Sequence, residues 1–385
     1  MGLGYLTSQR NLSLEALRGV AAIVVVIWHS LLDFHPTWAT FTGSPLYVFI
    51  YGTAAVSIFF ALSGYVLSSA FISKRDNTIL LRGAIKRWPR LAGPVVVSCL
   101  FTWFLYRLGL LQMVAASELS GSSHLKDQLI GGMSAEQISF FDATRVGLTT
   151  FFTGDRNYNN PIWTMNIESI GSFVVFGVLY LIGKAHFHRT ATLLIAVIAI
   201  VATYMFDPWL CLFPAGLLVN LLLTNAERPN IIGSVLFGVL GLYLLGYAKP
   251  PIGAYAWLQY FDRSAFYIVQ AIGACCLIAS VELAPRITHP IAAAIASYLG
   301  KLSFPLYLLH VPVICSLGSA VLISTQSSVL AIASTLIGSV AIASATIPLN
   351  QKWLALVDAM TKRVVTMVVK DHSGAKTTPG SAPIA

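Results

Sequence analysis

The sequence predicts an all-α, polytopic integral membrane protein with about ten transmembrane helices. Of its 385 residues, 56% are hydrophobic and only 10% are charged, whereas soluble domains have about 25% charged residues. The mean hydropathy is +0.76, and several runs exceed the ~18 apolar residues that mark a membrane span. Together these observations exclude an ordinary soluble globular protein.

Ten apolar runs predict the spans in chain order. We expect the first run to be retained rather than cleaved as a signal peptide, because no small-x-small site follows it and the polar letters DFHPTW come next. Asp207 and Pro208 divide the fifth span from the sixth. The predicted spans are 14–34, 46–72, 90–109, 161–183, 190–206, 208–224, 231–248, 264–283, 302–323 and 328–350.

Lysine and arginine residues fall mainly on one side of these spans, as in the basic stretch 73–90. The positive-inside rule therefore predicts that both termini are cytoplasmic. The longest stretch between spans, about 110–160, would then face outward, and its Ser, Gly, Asn and Asp content is typical of loops. The net charge of +9 reflects this asymmetry and does not indicate a nucleic-acid partner.

The chain is expected to have one membrane domain, residues 1–355, and a short, disordered cytoplasmic tail, residues 356–385. All five cysteines lie in apolar runs. They predict neither a disulfide framework nor a metal site.

The first span, which reads LEALRGVAAIVVVIWHS at 14–30, has an unusual polar stripe. Arg18 and His29 are eleven residues apart, so they share a helix face about 16 Å apart along the axis. Glu15 can pair with Arg18, and Asp33, four residues after His29, can orient the imidazole. An ionisable side chain at membrane depth costs roughly 2.5–3.5 kcal/mol, which favours a functional groove. The alternative is that Glu15 and Arg18 are interfacial anchors and His29 a packing residue.

A second polar group lies in AIKRWPRLAGP, where Arg87 and Arg90 flank Pro89 at the start of the third span. Two guanidinium groups three residues apart can hold a phosphate-bearing ligand. The alternative is that these basic residues only set the topology.

Further polar residues occur in the fourth and ninth spans. Glu168, in PIWTMNIESIGSF, needs either a partner or a proton inside the membrane. His310 follows Tyr307 in LSFPLYLLHVP, and we interpret it as structural. Ser63 is interpreted as a packing or backbone-bonding serine, and Gly64 beside it predicts a close helix contact.

Several common catalytic motifs are absent from the sequence. It contains no Walker A loop, no GxGxxG after a strand, no HExxH and no GxSxG elbow. His186 and His188 lie in a basic turn without other ligand types at metal spacing. We therefore expect no metal site.

These motifs, in this order, resemble the membrane proteins of acyltransferase family 3, which O-acylate glycans and other surface or secreted molecules. The matching segments are Glu15 with LRG and the Arg18-x10-His29 spacing, VSIFFALSGYVL (56–67), KRWPRLAGP (86–94), WTMNIE (163–168) and KLSFPLYLLHVP (301–312). Ten core spans and a cytoplasmic N-terminus also fit this family.

The chain departs from the family pattern at three places. Glu15 replaces the usual aspartate, and Asn166 replaces the serine of WTLSVE. After the last span, IPLNQKWLAL with Gln351 and Trp353 stands where the family commonly has a Glu-x-Pro or Glu-Pro signature. No C-terminal esterase-like domain is expected.

The resemblance implies transfer of an acyl group, acetyl by default, from cytoplasmic acyl-CoA to a hydroxyl of a cell-surface or exported glycan or a small acceptor. Arg18, Arg87 and Arg90 would bind the acyl-CoA co-substrate, with no tightly bound cofactor. His29 would be the general base or a transient acyl carrier. Glu15 would fix Arg18, and Glu168 would bind acceptor hydroxyls or relay a proton. The expected location is the lipid bilayer of the bacterial inner (cytoplasmic) membrane.

Two other functions remain open at this point. A multi-pass transporter of a sugar or small anion would use the same polar groove, although no paired halves with broken helices are visible. A non-catalytic scaffold would have no use for aligned Arg, His and Glu side chains inside the membrane.

Overall fold

The computed structural model describes residues 11–35, 41–130, 133–186, 188–224, 226, 229–261 and 265–374. Throughout these residues the regular structure is helical, without a strand. The helices are α1 (Leu12–Phe34), α2 (Gly52–Lys74), α3 (Asn77–Arg107), α4 (Met113–Ser120), α5 (Ser123–Lys126), α6 (Phe140–Thr153), α7 (Trp163–Lys184), α8 (Arg189–Phe206), α9 (Leu212–Leu223), α10 (Ile231–Leu245), α11 (Ala265–Leu283), α12 (Pro290–Val313), α13 (Ser319–Thr325) and α14 (Ser328–Gly374).

The prediction of an all-α polytopic membrane protein is confirmed. Eight helical segments of the described chain are long and apolar enough to cross a membrane. Two shorter apolar helical segments, Pro208–Leu223 and Ile231–Leu245, occupy the places of the predicted sixth and seventh spans. The expected number of about ten therefore corresponds to eight full-length segments and two short ones. A π-helical turn, Ile314–Gly318, joins α12 to α13 within one of the long segments.

The last helix differs from the expectation of a disordered tail. Helix α14 continues to Gly374, so residues 356–374 are helical, and 375–385 lie outside the described residues. Val357, Thr361 and Val365 are all buried. Their spacing of four residues places them on one helix face. Packing of this face extends the helix beyond the membrane span.

The stretch between α3 and α7, expected as a loop, contains the helices α4, α5 and α6. It is fastened to the C-terminal half of the bundle, where the Gln112 amide donates to the Cys315 carbonyl at 2.9 Å. It is also fastened to α1, because the Ser122 hydroxyl donates to the Leu32 carbonyl at 3.1 Å. These bonds bring α5 against the C-terminal end of α1.

Two close helix contacts form the centre of the bundle. Helix α2 meets α9 at Gly64 and Gly216, where an added Cβ would overlap the backbone of Phe213 and Ala61 respectively. The close contact predicted at Gly64 is confirmed. Helix α1 meets α12 in the same way, because Gly19 packs on the backbone of Leu299. Small residues allow such approaches inside a membrane, where interhelical packing replaces the hydrophobic effect.

Candidate active site

A cavity of about 380 Å³ lies between α1, α2, α3, α7, α12 and α14. We call it the arginine cavity. Its lining includes five of the six predicted site residues, namely Glu15, Arg18, Arg87, Arg90 and Glu168. The structure therefore brings the polar groups of the first, third and fourth predicted spans into one space, as a common binding site requires.

Glu168 has the partner that its position inside the membrane requires. It forms an ion pair with Arg87, and the Ser63 hydroxyl donates to the same carboxylate at 2.7 Å. Arg87 Nε donates to Ser172 Oγ at 2.7 Å. Ser63, interpreted from sequence as a packing residue, thus belongs to the polar site.

Arg18 is held in place by α12. Its Nε donates to Ser303 Oγ at 3.0 Å, and its second guanidinium nitrogen donates to the Gly300 carbonyl at 3.1 Å. Gly300 itself packs against Glu15, so an added Cβ would contact that side chain at 2.7 Å. These contacts aim the guanidinium group along the α1–α12 interface.

Basic side chains outnumber acidic ones in the arginine cavity. Arg18, Arg87, Arg90 and Lys301 line it against Glu15 and Glu168. Arg90 and Lys301 are exposed, whereas Arg87 and Glu168 pair deeper in the bundle. This distribution favours an anionic ligand that enters from the end where α1 begins.

A polar and aromatic layer closes the inner end of the arginine cavity. The Tyr307 hydroxyl donates to the Pro161 carbonyl at 2.9 Å and lies 2.8 Å from Thr164 Oγ1. The Phe59 ring packs edge-on against Tyr307, with centroids 5.8 Å apart. His310 lies directly beyond, its ring centroid 6.0 Å from that of Tyr307.

The sixth predicted site residue, His29, lies outside the arginine cavity lining. It belongs to a second group, the histidine cluster, formed by His29, Asp33, His124, Gln128 and His310. The His29 ring centroid is 5.1 Å from that of His310 and 5.7 Å from that of His124. Because α1 rises about 1.5 Å per residue, this cluster lies about 16 Å from Arg18 along the helix.

Asp33 does not orient His29 as the sequence suggested. Its Oδ1 lies 2.7 Å from His124 Nδ1, and its Oδ2 accepts from Gln128 Nε2 at 2.8 Å. The i,i+4 spacing does place Asp33 on the His29 face of α1. However, α5 and the residues after it supply closer partners for the carboxylate.

His310, interpreted from sequence as structural, is fully buried beside His29. Its Nδ1 lies 2.7 Å from the Tyr307 carbonyl, and its Nε2 has no hydrogen-bond partner among the described residues. A carbonyl can only accept, so Nδ1 is the protonated nitrogen and Nε2 presents a lone pair. An unsatisfied buried nitrogen of this kind suits a ligand that donates a hydrogen bond.

Sequence reasoning missed His124 and Gln128 in the stretch 110–160. Their spacing of four residues is the one available signal, because it puts both side chains on one side of a helical turn. Nothing in the sequence fixes the distance of that turn from α1. The absence of a metal site stays a prediction. Among the described residues, His29, Asp33 and His124 place one potential ligand atom each within 4.8 Å of one another.

Comparison with known proteins identifies one family. A family model described as an acyltransferase domain matches residues 11–347. This range contains the histidine cluster and the arginine cavity lining except Asn350, Gln351 and Leu354. No curated protein matches the chain. No solved structure matches it either.

Proposed function

Because the chain belongs to acyltransferase family 3 and is a membrane acyltransferase, we propose that it moves an acyl group from cytoplasmic acyl-CoA to a hydroxyl of a cell-surface or exported glycan. Acetyl is the acyl group proposed first. The observation that supports this proposal most strongly is the pairing of two polar sites in one helical core, one basic and one rich in histidine.

The arginine cavity suits the donor. Coenzyme A is polyanionic, and guanidinium groups form bidentate, charge-assisted hydrogen bonds with phosphate oxygens. Arg90 and Lys301, both exposed, would meet the phosphates first, while Arg18 lies where the acyl-bearing arm would enter the core. Arg87 is already paired with Glu168, so its proposed part is to shape the cavity and to complement the donor's charge.

The histidine cluster suits the transfer step. His29 is the proposed centre, either as the base that takes the hydroxyl proton or as a transient acyl carrier. In both routes a bond forms between the acceptor oxygen and the acyl carbon, the carbon–sulfur bond of the thioester breaks, and coenzyme A leaves as its thiolate. The proton from the acceptor balances that thiolate charge.

The direction across the membrane follows from the basic residues. The positive-inside rule puts the arginine cavity at the cytoplasmic end and the histidine cluster toward the outer end of the bundle. This orientation fits the bacterial inner membrane, where acyl-CoA is available on one side and exported glycan on the other.

The experiment uses the full chain in lipid, radiolabelled acetyl-CoA and an extract of surface glycans. Wild type should transfer label to glycan, and His29→Ala should lower that rate by about 10²–10⁴-fold. His289 is an exposed histidine at the N-cap of α12, so His289→Ala is the matched control and should retain full activity. Full transfer by His29→Ala at normal abundance would refute the role of His29. Glycan movement without acetyl-CoA consumption would instead indicate a transporter.

A further inference from the structure

Four side chains of the histidine cluster form one hydrogen-bonded unit at the C-terminal end of α1. Asp33 contacts both His124 and Gln128, at 2.7 and 2.8 Å. Gln128 Nε2 also lies 3.4 Å from His29 Nδ1. The amide oxygen of Gln128 accepts from Asn160 Nδ2 at 3.1 Å, which fixes which end of the amide faces the histidines.

The network assigns the protons of these groups. An amide nitrogen only donates, so Gln128 Nε2 donates to Asp33 Oδ2. The tautomer of His124 that carries its proton on Nδ1 donates to Asp33 Oδ1 and completes the arrangement. Gln128 Nε2 and His124 Nδ1 lie 3.1 Å apart, but two donors cannot bond each other. The second Gln128 hydrogen therefore points to His29 Nδ1. In the tautomer that carries its single ring proton on Nδ1, His124 presents the lone pair of its Nε2.

His124 therefore has the features of a general base. A buried carboxylate holds its Nδ1–H, which fixes the tautomer and would stabilise the imidazolium, as in Ser-His-Asp triads. The Asp33 side chain is 0% exposed, whereas that of His124 is 35% exposed. A polar acceptor arriving from this end of the bundle can reach His124 before it reaches fully buried His310.

The spacing favours a hydrogen bond over a shared metal ion. Two ligands bound to zinc at about 2.0–2.1 Å in tetrahedral geometry lie roughly 3.3 Å apart. The His124–Asp33 separation of 2.7 Å is instead that of a charge-assisted hydrogen bond.

We propose that His124, oriented by Asp33, is the general base of the acceptor half of the reaction, an assignment that rests on the proposed function. The acceptor hydroxyl gives its proton to His124 Nε2 while its oxygen bonds to the acyl carbon. Of the two roles proposed for His29, this assignment leaves that of the acyl carrier. The bond from the acyl carbon to the His29 nitrogen breaks, and that nitrogen keeps the electron pair. His124 then releases its proton to water.

The experiment compares two nucleophiles on the full chain in lipid, with acetyl-CoA as donor. Glycan hydroxyls need a base, whereas hydroxylamine attacks acyl groups without one. In His124→Ala, transfer to the glycan extract should fall by about 10²–10⁴-fold, while enzyme-dependent acylation of hydroxylamine stays within about twofold of wild type. Added imidazole should restore part of the glycan transfer. Asp33→Asn should show the same nucleophile-dependent loss. Lys126→Ala, exposed on the same helix α5, should match wild type.

Three results would overturn the assignment. The first is full glycan transfer by His124→Ala. The second is an equal loss with both nucleophiles in a variant that keeps wild-type abundance and thermal stability, which would indicate a merely structural role. The third is stoichiometric zinc in the wild type, measured by mass spectrometry and lost in His124→Ala. If wild type consumes acetyl-CoA with neither nucleophile, the proposed function itself fails, a result that separates the two claims.

Discussion

At the scale of single residues, Glu168 shows most clearly how a buried charge depends on its partners. Its sequence position required a partner, and the structure supplies Arg87, Ser63 and, through Arg87, Ser172. Neither charge of this ion pair is well solvated. Each therefore depends on the other, because removing one partner leaves a buried charge uncompensated.

Arg87→Ala should therefore destabilise the protein by about 3–5 kcal/mol, measured as the free energy of unfolding in detergent. Combining Arg87→Met with Glu168→Leu should recover most of this loss, because it replaces both charges by apolar side chains. If Arg87→Ala has the same free energy of unfolding as wild type, the Arg87–Glu168 pair does not stabilise the fold as described.

Arg90 should act on binding rather than stability. Since it is exposed, Arg90→Ala should change stability by less than about 1 kcal/mol. Loss of a charge-assisted phosphate contact worth about 1.5–3 kcal/mol should raise the KM for acetyl-CoA by roughly 10- to 100-fold at nearly constant kcat. Arg90→Lys should recover part of this loss. An unchanged KM in both variants would remove Arg90 from the donor site.

Residue patterns predicted the main charged groups of the arginine cavity but only the α1 side of the histidine cluster. The helical period placed Arg18 and His29 on one face of α1. In the structure, Arg18 lines the arginine cavity and His29 belongs to the histidine cluster. The helical period could not identify the partner of Asp33. His124 is 91 residues away in the chain, and only the tertiary fold determines that α5 packs there.

Among the helices, the contact between α2 and α9 depends on glycine. Gly64 and Gly216 let the two backbones touch, and Asn220 of α9 reinforces the contact by donating to the Tyr65 carbonyl at 3.1 Å and to Ser68 Oγ at 2.8 Å. Since Ser63 lies beside Gly64, this contact also fixes the serine that bonds Glu168.

Gly64→Ala should destabilise the protein by about 1–3 kcal/mol, because the methyl group would displace the α9 backbone. Activity should fall as well, since Ser63 would move with α2. Gly177→Ala is the matched control: a Cβ at Gly177 meets nothing within 4 Å, so its stability should equal or slightly exceed that of wild type. Equal thermal midpoints for the two variants would contradict the close contact.

Spans were predicted well because apolar length is a local property of the sequence, whereas helix ends depend on tertiary packing. Helix α14 illustrates the difference. Trp353 donates to the Pro89 carbonyl at 2.9 Å and packs on Gly93, so α3 supports α14 at the end of its predicted span. The polar composition of the tail gave no indication of this support.

The whole molecule presents two polar sites along the same pair of helices. Helices α1 and α12 contribute Arg18 and Ser303 to the arginine cavity, and His29 and His310 to the histidine cluster. Tyr307 lies between the two sites. The proposed function places the donor at the arginine cavity and the acceptor at the histidine cluster, on either side of Tyr307.

The orientation of the bundle can be tested by accessibility. In a variant whose five cysteines are replaced by serine, Ser73→Cys at the end of α2 should react with an impermeant maleimide only from the cytoplasmic side. Ser134→Cys, in the stretch before α6, should react only from the outer side. Both serines are exposed, so burial does not bias the comparison. The reverse pattern would invert the topology and the proposed direction of transfer.

The central claim is that the acyl group passes from the arginine cavity to an acceptor at the opposite end of the bundle. The most direct test seals the full-length protein in vesicles with surface glycan trapped inside and radiolabelled acetyl-CoA added outside. Wild type should label the trapped glycan, whereas His29→Ala should give only the background signal. Labelling that occurs only when donor and glycan share the same side would contradict the claim.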